Sequence, residues 1–186
     1  MRVIAGTARS LPLRTVKSND TRPTTDRIKE TLFNMLNSYL YHCRFLDLFS
    51  GSGAIGIEAL SRGASYAAFV ESGKEQVDVI RYNLKFTKLE DRAKVCPSDV
   101  FRYLETGLPL EAEPFDVVFM DPPYDEGLEI RALEILGKSS KITKDTLVLF
   151  EASIKTDISM VESLGFSIIK QKKYKTNQHV WLKREG

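Results

Sequence analysis

From residue 44 onward the chain alternates apolar, strand-like runs with helical patterns, and this alternation limits the possible folds more than any other feature. Strands are predicted at 44–49, 66–71, 93–96, 115–121, 146–152, 166–173 and 178–184. Helices are predicted at 54–62, 74–87, 99–105, 128–137 and 157–164. Such alternation predicts an α/β fold whose largely parallel, doubly wound sheet has helices on both faces.

The last two predicted strands have no room for a helix between them. They should therefore pair as an antiparallel hairpin, because a parallel pair needs a long crossover. We predict a seven-stranded, mostly parallel sheet with an antiparallel last strand, formed by residues 44–186.

Residues 1–43 form a different segment, predicted as a short hairpin and a helix. Stretches 2–5 and 12–16 suit the hairpin. The helix is predicted over 25–40 from apolar residues at helical spacing: Ile28, Leu32, Met35, Leu36, Tyr39 and Leu40. Arg27 and Lys29 in its first turn oppose the helix dipole, which favours an anion nearby, although an exposed turn could also tolerate these charges.

Composition is typical of one globular domain, with 186 residues of which 42% are hydrophobic. No apolar run is long enough to cross a bilayer and the start lacks a signal-peptide pattern, so we expect a cytoplasmic protein without membrane contact. Cys43 and Cys96 are isolated and expected to be reduced thiols. His42 and His179 are also isolated, and we predict no metal site.

The charge is unevenly distributed along the chain. Residues 1–30 hold seven basic and three acidic residues, and residues 170–186 hold six and one. Because the net charge is only +2, the residues between these ends carry −7. Basic ends on an acidic body favour a polyanionic partner, although solvated chain ends would look the same.

A glycine-rich turn, Ser50 to Gly56, follows the first strand and opens a helix. Gly51 would make the turn, Gly53 would let a ligand approach the backbone, and Gly56 would let helix and strand pack closely. Glu71 ends the second strand twenty residues after Gly51, where a carboxylate can accept both hydroxyls of a ribose. Together these features predict a cofactor that contains adenosine.

Two further carboxylates favour S-adenosyl-L-methionine over a dinucleotide. Asp47 lies late in the first strand, where it would repel a pyrophosphate but could meet the cationic methionine end, directly or through water. Asp99 follows the third strand and could accept the adenine amino group. It could equally cap the next helix, or do both.

The tetrapeptide Asp121-Pro122-Pro123-Tyr124 ends a buried apolar strand with two residues that have no amide donor. It brings a carboxylate, a stiff carbonyl and an aromatic ring to the sheet edge. These groups suit an exocyclic amine on a flat base, although Asp-Pro is also common in turns.

In this order, the glycine turn, Glu71, Asp121-Pro-Pro-Tyr124 and the terminal hairpin resemble Rossmann-like, class I S-adenosylmethionine-dependent amino-methyltransferases. The segments from Arg22 to Asn34 and from Gly56 to Ala64 resemble the RsmD family, bacterial guanine-N2 methyltransferases of 16S ribosomal RNA. The chain departs from that family after Arg9, where Ser10-Leu11 replaces a common Gly-Arg.

The resemblance implies methyl transfer from S-adenosyl-L-methionine to N2 of a guanine, with Asp121, Pro122, Pro123 and Tyr124 at the reacting centre. It implies that residues 1–43 contact RNA, through Arg9, Arg22, Thr24 and Arg27. Three basic residues near the other end of the chain are further candidates for phosphate contacts: Lys172, Lys173 and Lys175. The expected partner is ribosomal RNA in a small-subunit assembly particle, and the enzyme is expected to be a monomer.

Three alternatives remain open. A DNA or RNA adenine-N6 methyltransferase would share the Asp-Pro-Pro-Tyr motif, but 186 residues leave little room for a DNA target-recognition region. An NAD-dependent oxidoreductase would share the glycine turn, but Asp47 disfavours it. A catalytically silent RNA-binding module is disfavoured by the intact motif.

Overall fold

A computed structural model describes residues 1–16 and 26–185, apart from the side chain of Arg27. Its centre is one seven-stranded sheet with strand order β3-β2-β1-β4-β5-β7-β6. Strands β1 to β5 pair in parallel, whereas β7 is antiparallel to both β5 and β6. The predicted fold class, including the antiparallel last strand, is confirmed.

The strands are β1 (Arg44–Leu48), β2 (Tyr66–Glu71), β3 (Ala93–Pro97), β4 (Phe115–Met120), β5 (Ile142–Ser153), β6 (Phe166–Lys173) and β7 (Asn177–Arg184). The α-helices are α1 (Asp26–Leu40), α2 (Ala54–Ser61), α3 (Lys74–Thr87), α4 (Val100–Arg102) and α5 (Leu128–Leu136). A π-helical turn, Tyr103–Gly107, continues α4, and 3-10 turns span Glu90–Arg92, Leu108–Leu110 and Glu162–Leu164.

The register of the central strands brings their last residues to one edge of the sheet, which we call the carboxyl edge. Leu48 pairs with Met120, and Met120 pairs with Phe150 on the other side. Asp121 and Glu151 each follow one of these last pairs and so lie on adjacent strands. The antiparallel β7 begins at this edge, where Asn177 pairs with Ser153.

Two apolar cores cover the two faces of the sheet. One contains residues of α1, α2 and α3 together with Val3, Ala8 and Leu13 of the N-terminal segment. The other contains residues of α4 and α5 with Val161 and Phe166. The first sixteen residues therefore share a core with the main domain.

Polar side chains also attach the N-terminal segment to the main domain. Glu58 of α2 is fully buried and accepts bonds from the amides of Ile4 and Ala5 at 2.8 and 3.0 Å. Asn83 of α3 donates to the carbonyls of Arg14 and Ser52 and accepts from the Arg14 amide. One buried amide thus connects this segment to the glycine turn.

Two local predictions are confirmed only in part, and one is wrong. The short hairpin predicted over 2–5 and 12–16 is present as a single antiparallel bridge between Arg2 and Pro12, supported by loop bonds such as Ser10 N to Val3 O. Residues 157–164, predicted to form a helix, instead form tight turns closed by hydrogen bonds between residues i and i+3. One 3-10 turn ends the segment. The helix predicted over 99–105 changes to a π-helical turn at Tyr103.

Strand β5 starts at Ile142, four residues before its predicted start. The apolar pattern misses this start because three polar residues follow Ile142: Thr143, Lys144 and Asp145. A register shift between Phe115 and Val117 lets Ile142 pair with Phe115. Among the described residues, no helix has the length and apolarity required to cross a membrane.

Candidate active site

The glycine turn lies at the carboxyl edge, between β1 and α2. Gly53 has φ of 76°, a left-handed conformation that glycine adopts without strain. A side chain at Gly56 would collide with the Phe69 ring of β2. Phe49, immediately before the turn, also has a positive φ of 60°, so the chain bends sharply where it leaves the strand. These constraints explain why the segment has glycine at Gly53 and Gly56.

Glu71 lies beside the turn at the end of β2. Its two carboxylate oxygens accept the amides of Gly51 and Gly73 at 2.9 and 2.8 Å. The side chain is only partly buried. Each oxygen retains a free lone pair, because a carboxylate has about four acceptor positions. Glu71 is therefore rigidly held and still able to accept bonds from a pair of hydroxyls.

Asp47 lies underneath the turn and is 1% exposed. Its Oδ2 accepts the Gly56 amide at 2.9 Å. Burial raises the pKa of Asp47 well above its usual range, and the negative charges of Asp121 and Glu71 add to the rise against the opposing Gly56 bond. Its observed contact supports the turn, and its predicted role towards a cationic ligand stays a prediction.

Asp99 precedes α4 and caps it. Its Oδ1 accepts the amides of Phe101 and Arg102 at 3.0 and 3.1 Å. The residue is exposed, and its second oxygen, Oδ2, takes no part in these bonds. The capping alternative is thus observed, and the adenine alternative remains compatible with it.

The Asp121-Pro-Pro-Tyr124 motif begins immediately after β4 at the same edge. Pro122 is buried, Pro123 is exposed, and the Tyr124 side chain is 43% exposed. Asp121 is partly exposed as a residue, but its carboxylate lies in desolvated surroundings. Burial, followed by the negative charge of Glu151, raises the pKa of Asp121 to about 8. A protonated or weakly acidic carboxyl group is typical of a functional site.

Glu151, at the end of β5, is the main residue that the sequence prediction missed. Its Oε1 accepts the Tyr124 hydroxyl and the Asn177 amide, and its Oε2 lies 2.9 Å from His179 Nε2. Burial alone would raise the pKa of Glu151, but the bonds from His179, Tyr124 and Asn177 lower it overall. Glu151 is therefore the ionised member of the pair that it forms with Asp121.

This buried network, made of Glu151, His179 and Asn177, orients Tyr124. Burial and the bond to Glu151 raise the pKa of Tyr124, so its hydroxyl stays protonated and donates. One sequence signal could have identified Glu151, because it ends an apolar strand as Glu71 and Asp121 do. His179 and Asn177 lie on β7, and only the antiparallel register brings them here.

The predicted RNA-contacting residues are less well placed. Arg9 is exposed near the last residue of α2, where Thr7 and Ala8 bond Ser61, at the end of that helix remote from the glycine turn. The structure therefore does not bring Arg9 to the carboxyl edge. Arg22, Thr24 and the Arg27 side chain lie outside the described residues.

Lys29 does not face an anion in solution, contrary to expectation. It is fully buried, bonds the Arg2 carbonyl and forms an ion pair with Glu58 at 3.2 Å. Burial lowers its pKa, against the opposing effect of Glu58. Lys29 is thus a structural link between α1, α2 and the N-terminal segment.

No group of three metal-binding side chains occurs within residues 1–16 and 26–185. Cys43 and Cys96 are both free thiols. Burial raises the pKa of Cys43 to about 12. Neither thiol is therefore activated as a nucleophile.

Comparison with known proteins decides the family. A family described as Conserved hypothetical protein 95 matches residues 1–183. Ribosomal RNA small subunit methyltransferase D of Haemophilus influenzae is 34% identical over 173 residues, covering 92% of this chain and 88% of that protein. The chain belongs to the RsmD family. This confirms the predicted resemblance, and it confirms the enzyme class at the level of a methyltransferase.

Solved structures agree with this membership of the RsmD family. The structure of yhhF from Escherichia coli, described as a candidate methyltransferase, has a TM-score of 0.85 and 30% identity, covering 100% of this chain and 98% of that one. A second candidate methyltransferase, SMU.776, was solved in complex with SAH. It has a TM-score of 0.65 and 13% identity, covering 83% of this chain and 49% of that one, and so shows the fold alone.

Proposed function

We propose that this protein transfers a methyl group from S-adenosyl-L-methionine to the exocyclic N2 of a guanine in small-subunit (16S) ribosomal RNA. The proposal rests on one observation: two sets of residues lie together at the carboxyl edge. The rigid glycine turn with Glu71 lies on one side, and Asp121 with the Tyr124 ring lies on the other. A methyl donor and an amine acceptor would meet between them.

The chemistry of the residues fits S-adenosyl-L-methionine. Glu71 would accept the ribose hydroxyls, Gly51 and Gly53 would allow close approach to the backbone, and Asp99 would accept the adenine amine. The negative charge of Glu151 lies near Asp121, and a sulfonium cation bound there would favour the ionised form of Asp121. When bound, this cofactor supplies an electrophilic methyl group.

Asp121 would orient the acceptor amine. Its carboxylate and the Pro122 carbonyl can accept the two N–H bonds of guanine N2, whose lone pair is delocalised into the ring. This geometry favours a pyramidal, more nucleophilic nitrogen. As the new N–C bond formed, the methyl–sulfur bond would break and S-adenosylhomocysteine would leave. The amine proton would then become acidic, and Asp121 in its ionised form would take it.

Tyr124 would stack on the target base. Its ring is partly exposed while its hydroxyl is fixed by Glu151, so one face can be offered in a constant orientation. Stacking of this kind contributes about 1–3 kcal/mol per base. The guanine must leave its helix or loop to reach the ring.

The RNA target rests on the relatives, whose curated names specify the small ribosomal subunit. The choice of N2 rests on the resemblance to the RsmD family, because the Asp-Pro-Pro-Tyr motif also serves adenine N6 in other enzymes. An assembly particle as substrate, a monomeric enzyme and a cytoplasmic location belong to the same proposal.

The test is transfer of a labelled methyl group to small-subunit RNA from cells that lack this protein, followed by mass analysis of the nucleosides. We expect N2-methylguanosine at one site. N6-methyladenosine would support the alternative target. No transfer, with S-adenosyl-L-methionine still bound, would indicate a silent RNA-binding module. Binding of NAD instead would indicate an oxidoreductase.

A further inference from the structure

The β6–β7 hairpin carries an unusual concentration of positive charge beside the active site. Four lysines and no acidic residue occur within 170–175. We call them the hairpin lysines: Lys170, Lys172, Lys173 and Lys175. Because β7 begins at the carboxyl edge, the turn between β6 and β7 emerges at the same edge as Asp121.

The charge of the hairpin lysines is not neutralised within the described part of the chain, where none of them forms an ion pair with a carboxylate. Aromatic rings hold two of them instead. Lys170 Nζ lies 5.7 Å from the Trp181 ring, and Lys172 Nζ lies 5.2 Å from the Tyr174 ring. These contacts restrain the side chains while leaving their charges available to an external anion.

The hairpin turn is connected to the base-stacking tyrosine. The Tyr174 amide donates to the Asn177 carbonyl at 2.8 Å, which closes the turn. The Asn177 side chain donates to Glu151 Oε1 at 2.6 Å, and the same oxygen accepts the Tyr124 hydroxyl. An anion held at the turn would therefore lie at a fixed position relative to the Tyr124 ring.

We propose that the hairpin lysines bind backbone phosphates of the substrate RNA next to the extruded base. This inference rests on the proposed function and adds a binding surface to it. Phosphate contacts would set the register of the RNA, while Tyr124 and Asp121 would act on the base. The occupant follows from charge complementarity, because RNA has one phosphate for each nucleotide.

A competing explanation is that the lysines protect β6, the outermost strand of the sheet, from pairing with other molecules. Within residues 1–16 and 26–185, β6 pairs only with β7, and lysines on edge strands prevent pairing with another molecule. The two explanations differ in their consequences. Loss of the lysines that protect the outermost strand leads to self-association. Loss of phosphate contacts lowers the affinity for RNA and makes that affinity less dependent on salt.

The experiment compares two triple variants of the full chain. The first is K172Q/K173Q/K175Q, and the control is K138Q/K141Q/K144Q, which removes the same charge near the start of β5, at the opposite edge of the sheet. Binding to protein-free small-subunit ribosomal RNA is measured at several salt concentrations. Sedimentation of each variant reports self-association, and methyl transfer gives KM and kcat for the RNA.

For the hairpin variant we expect the slope of log affinity against log salt to fall by about 2–3, since each phosphate contact contributes about 0.7–0.9. Affinity at about 0.15 M salt should fall on the order of tenfold to a hundredfold. KM for RNA should rise while kcat at saturating RNA is unchanged. The control variant should match the wild type.

An unchanged slope for the hairpin variant, with or without self-association, would overturn the proposal, and self-association would favour edge protection. The result is separable from the proposed function. If the wild type binds RNA through the hairpin but transfers no methyl group, the binding surface stands and the methyl-transfer proposal fails.

Discussion

The two edges of the sheet both bury carboxylates, but they balance the charge in different ways. At the amino edge, where the parallel strands begin, Glu111 is 5% exposed and pairs with two cations. Arg44 lies 3.2 Å and Lys94 2.6 Å from its oxygens. At the carboxyl edge, Asp47 accepts a hydrogen bond from a backbone amide, and Asp121 lies near the ionised Glu151.

From this difference we infer that the amino edge serves stability and the carboxyl edge serves binding. The amino edge is neutralised by the chain itself, so nothing further is required there. The carboxyl edge keeps carboxyl groups whose pKa values are raised, a state that a cationic ligand would relieve. The uncompensated edge is therefore the one where a sulfonium-bearing cofactor is expected.

The largest effect is expected from Asp121→Asn. The amide cannot take the proton of the amine, so methyl transfer should fall by about 10²–10⁴-fold. Binding of S-adenosyl-L-methionine, followed by calorimetry, should be retained. Asp125→Asn is the matched control, because Asp125 is exposed in the same loop and its φ of 63° suits asparagine. Near-normal turnover of Asp121→Asn would remove Asp121 from the mechanism.

Glutamine substitutions at the two edges should have opposite effects on stability and catalysis. Glu111→Gln breaks two ion pairs and should lower the free energy of unfolding by about 1–3 kcal/mol, less than for a fully buried pair because Lys94 is half exposed. Glu151→Gln should change it less, since the substitution also removes repulsion with Asp121. It should nevertheless reduce kcat by loosening Tyr124.

Urea unfolding and single-turnover transfer measure these two quantities. A Glu151→Gln protein that is strongly destabilised but fully active once folded would place Glu151 with the structural carboxylates. A Glu111→Gln protein with reduced kcat and normal stability would equally contradict the division between the edges.

The pH dependence of binding tests the uncompensated edge directly. Because the pKa of Asp121 is raised to about 8, its carboxyl group is neutral below that pH and charged above it. The ratio of S-adenosyl-L-methionine to S-adenosylhomocysteine affinity should therefore rise with pH and level off only above about 8. The ratio isolates the sulfonium charge, which only the first ligand has. In Asp121→Asn the ratio should be flat.

The same raised pKa affects folding stability with a definite sign. The folded state binds a proton at Asp121 that the unfolded state has already lost, over the range between the usual aspartate pKa and about 8. Asp121 therefore makes stability fall as the pH rises through that range. Wild type and Asp121→Asn, unfolded in urea at several pH values, should differ in this slope. If stability changed with pH in the same way for both proteins, the raised pKa of Asp121 would be contradicted.

The smallest effect is expected at Asp99. Asp99→Ala removes a helix cap and should lower stability by about 1 kcal/mol. Asp99→Ser should restore most of the cap. If Asp99 also binds adenine, both variants should weaken cofactor affinity even though only one is destabilised. If affinity follows stability in both, Asp99 is only a cap.

Sequence patterns predicted the sheet well because buried strands are continuous apolar runs. They failed at 157–164, where helical spacing could not show that the segment would close into successive three-residue turns. They also placed the start of β5 too late, because Thr143, Lys144 and Asp145 are polar and lie where the pairing with β4 shifts register. Both errors concern local geometry that tertiary contacts determine.

The candidate site was predictable where each residue lies at or just after the end of a strand. Gly51, Glu71 and Asp121 occupy such positions, and the sequence marks these strand ends clearly. The network around Glu151 was not predictable in the same way, because His179 is 28 residues away in sequence. Only the pairing of β5 with β7 brings the two residues together. Whether each predicted site residue acts as proposed is for the experiments above to decide.

The buried bonds of Glu58 and Asn83 have a practical consequence for anyone who shortens this chain. Removing the first sixteen residues would strip two amide donors from Glu58 and every Arg14 bond from Asn83. Both side chains would remain buried with polar atoms that have lost hydrogen-bond partners. A truncated protein that loses activity would thus report on misfolding rather than on RNA recognition, and point substitutions at exposed positions are the sound way to dissect the segment.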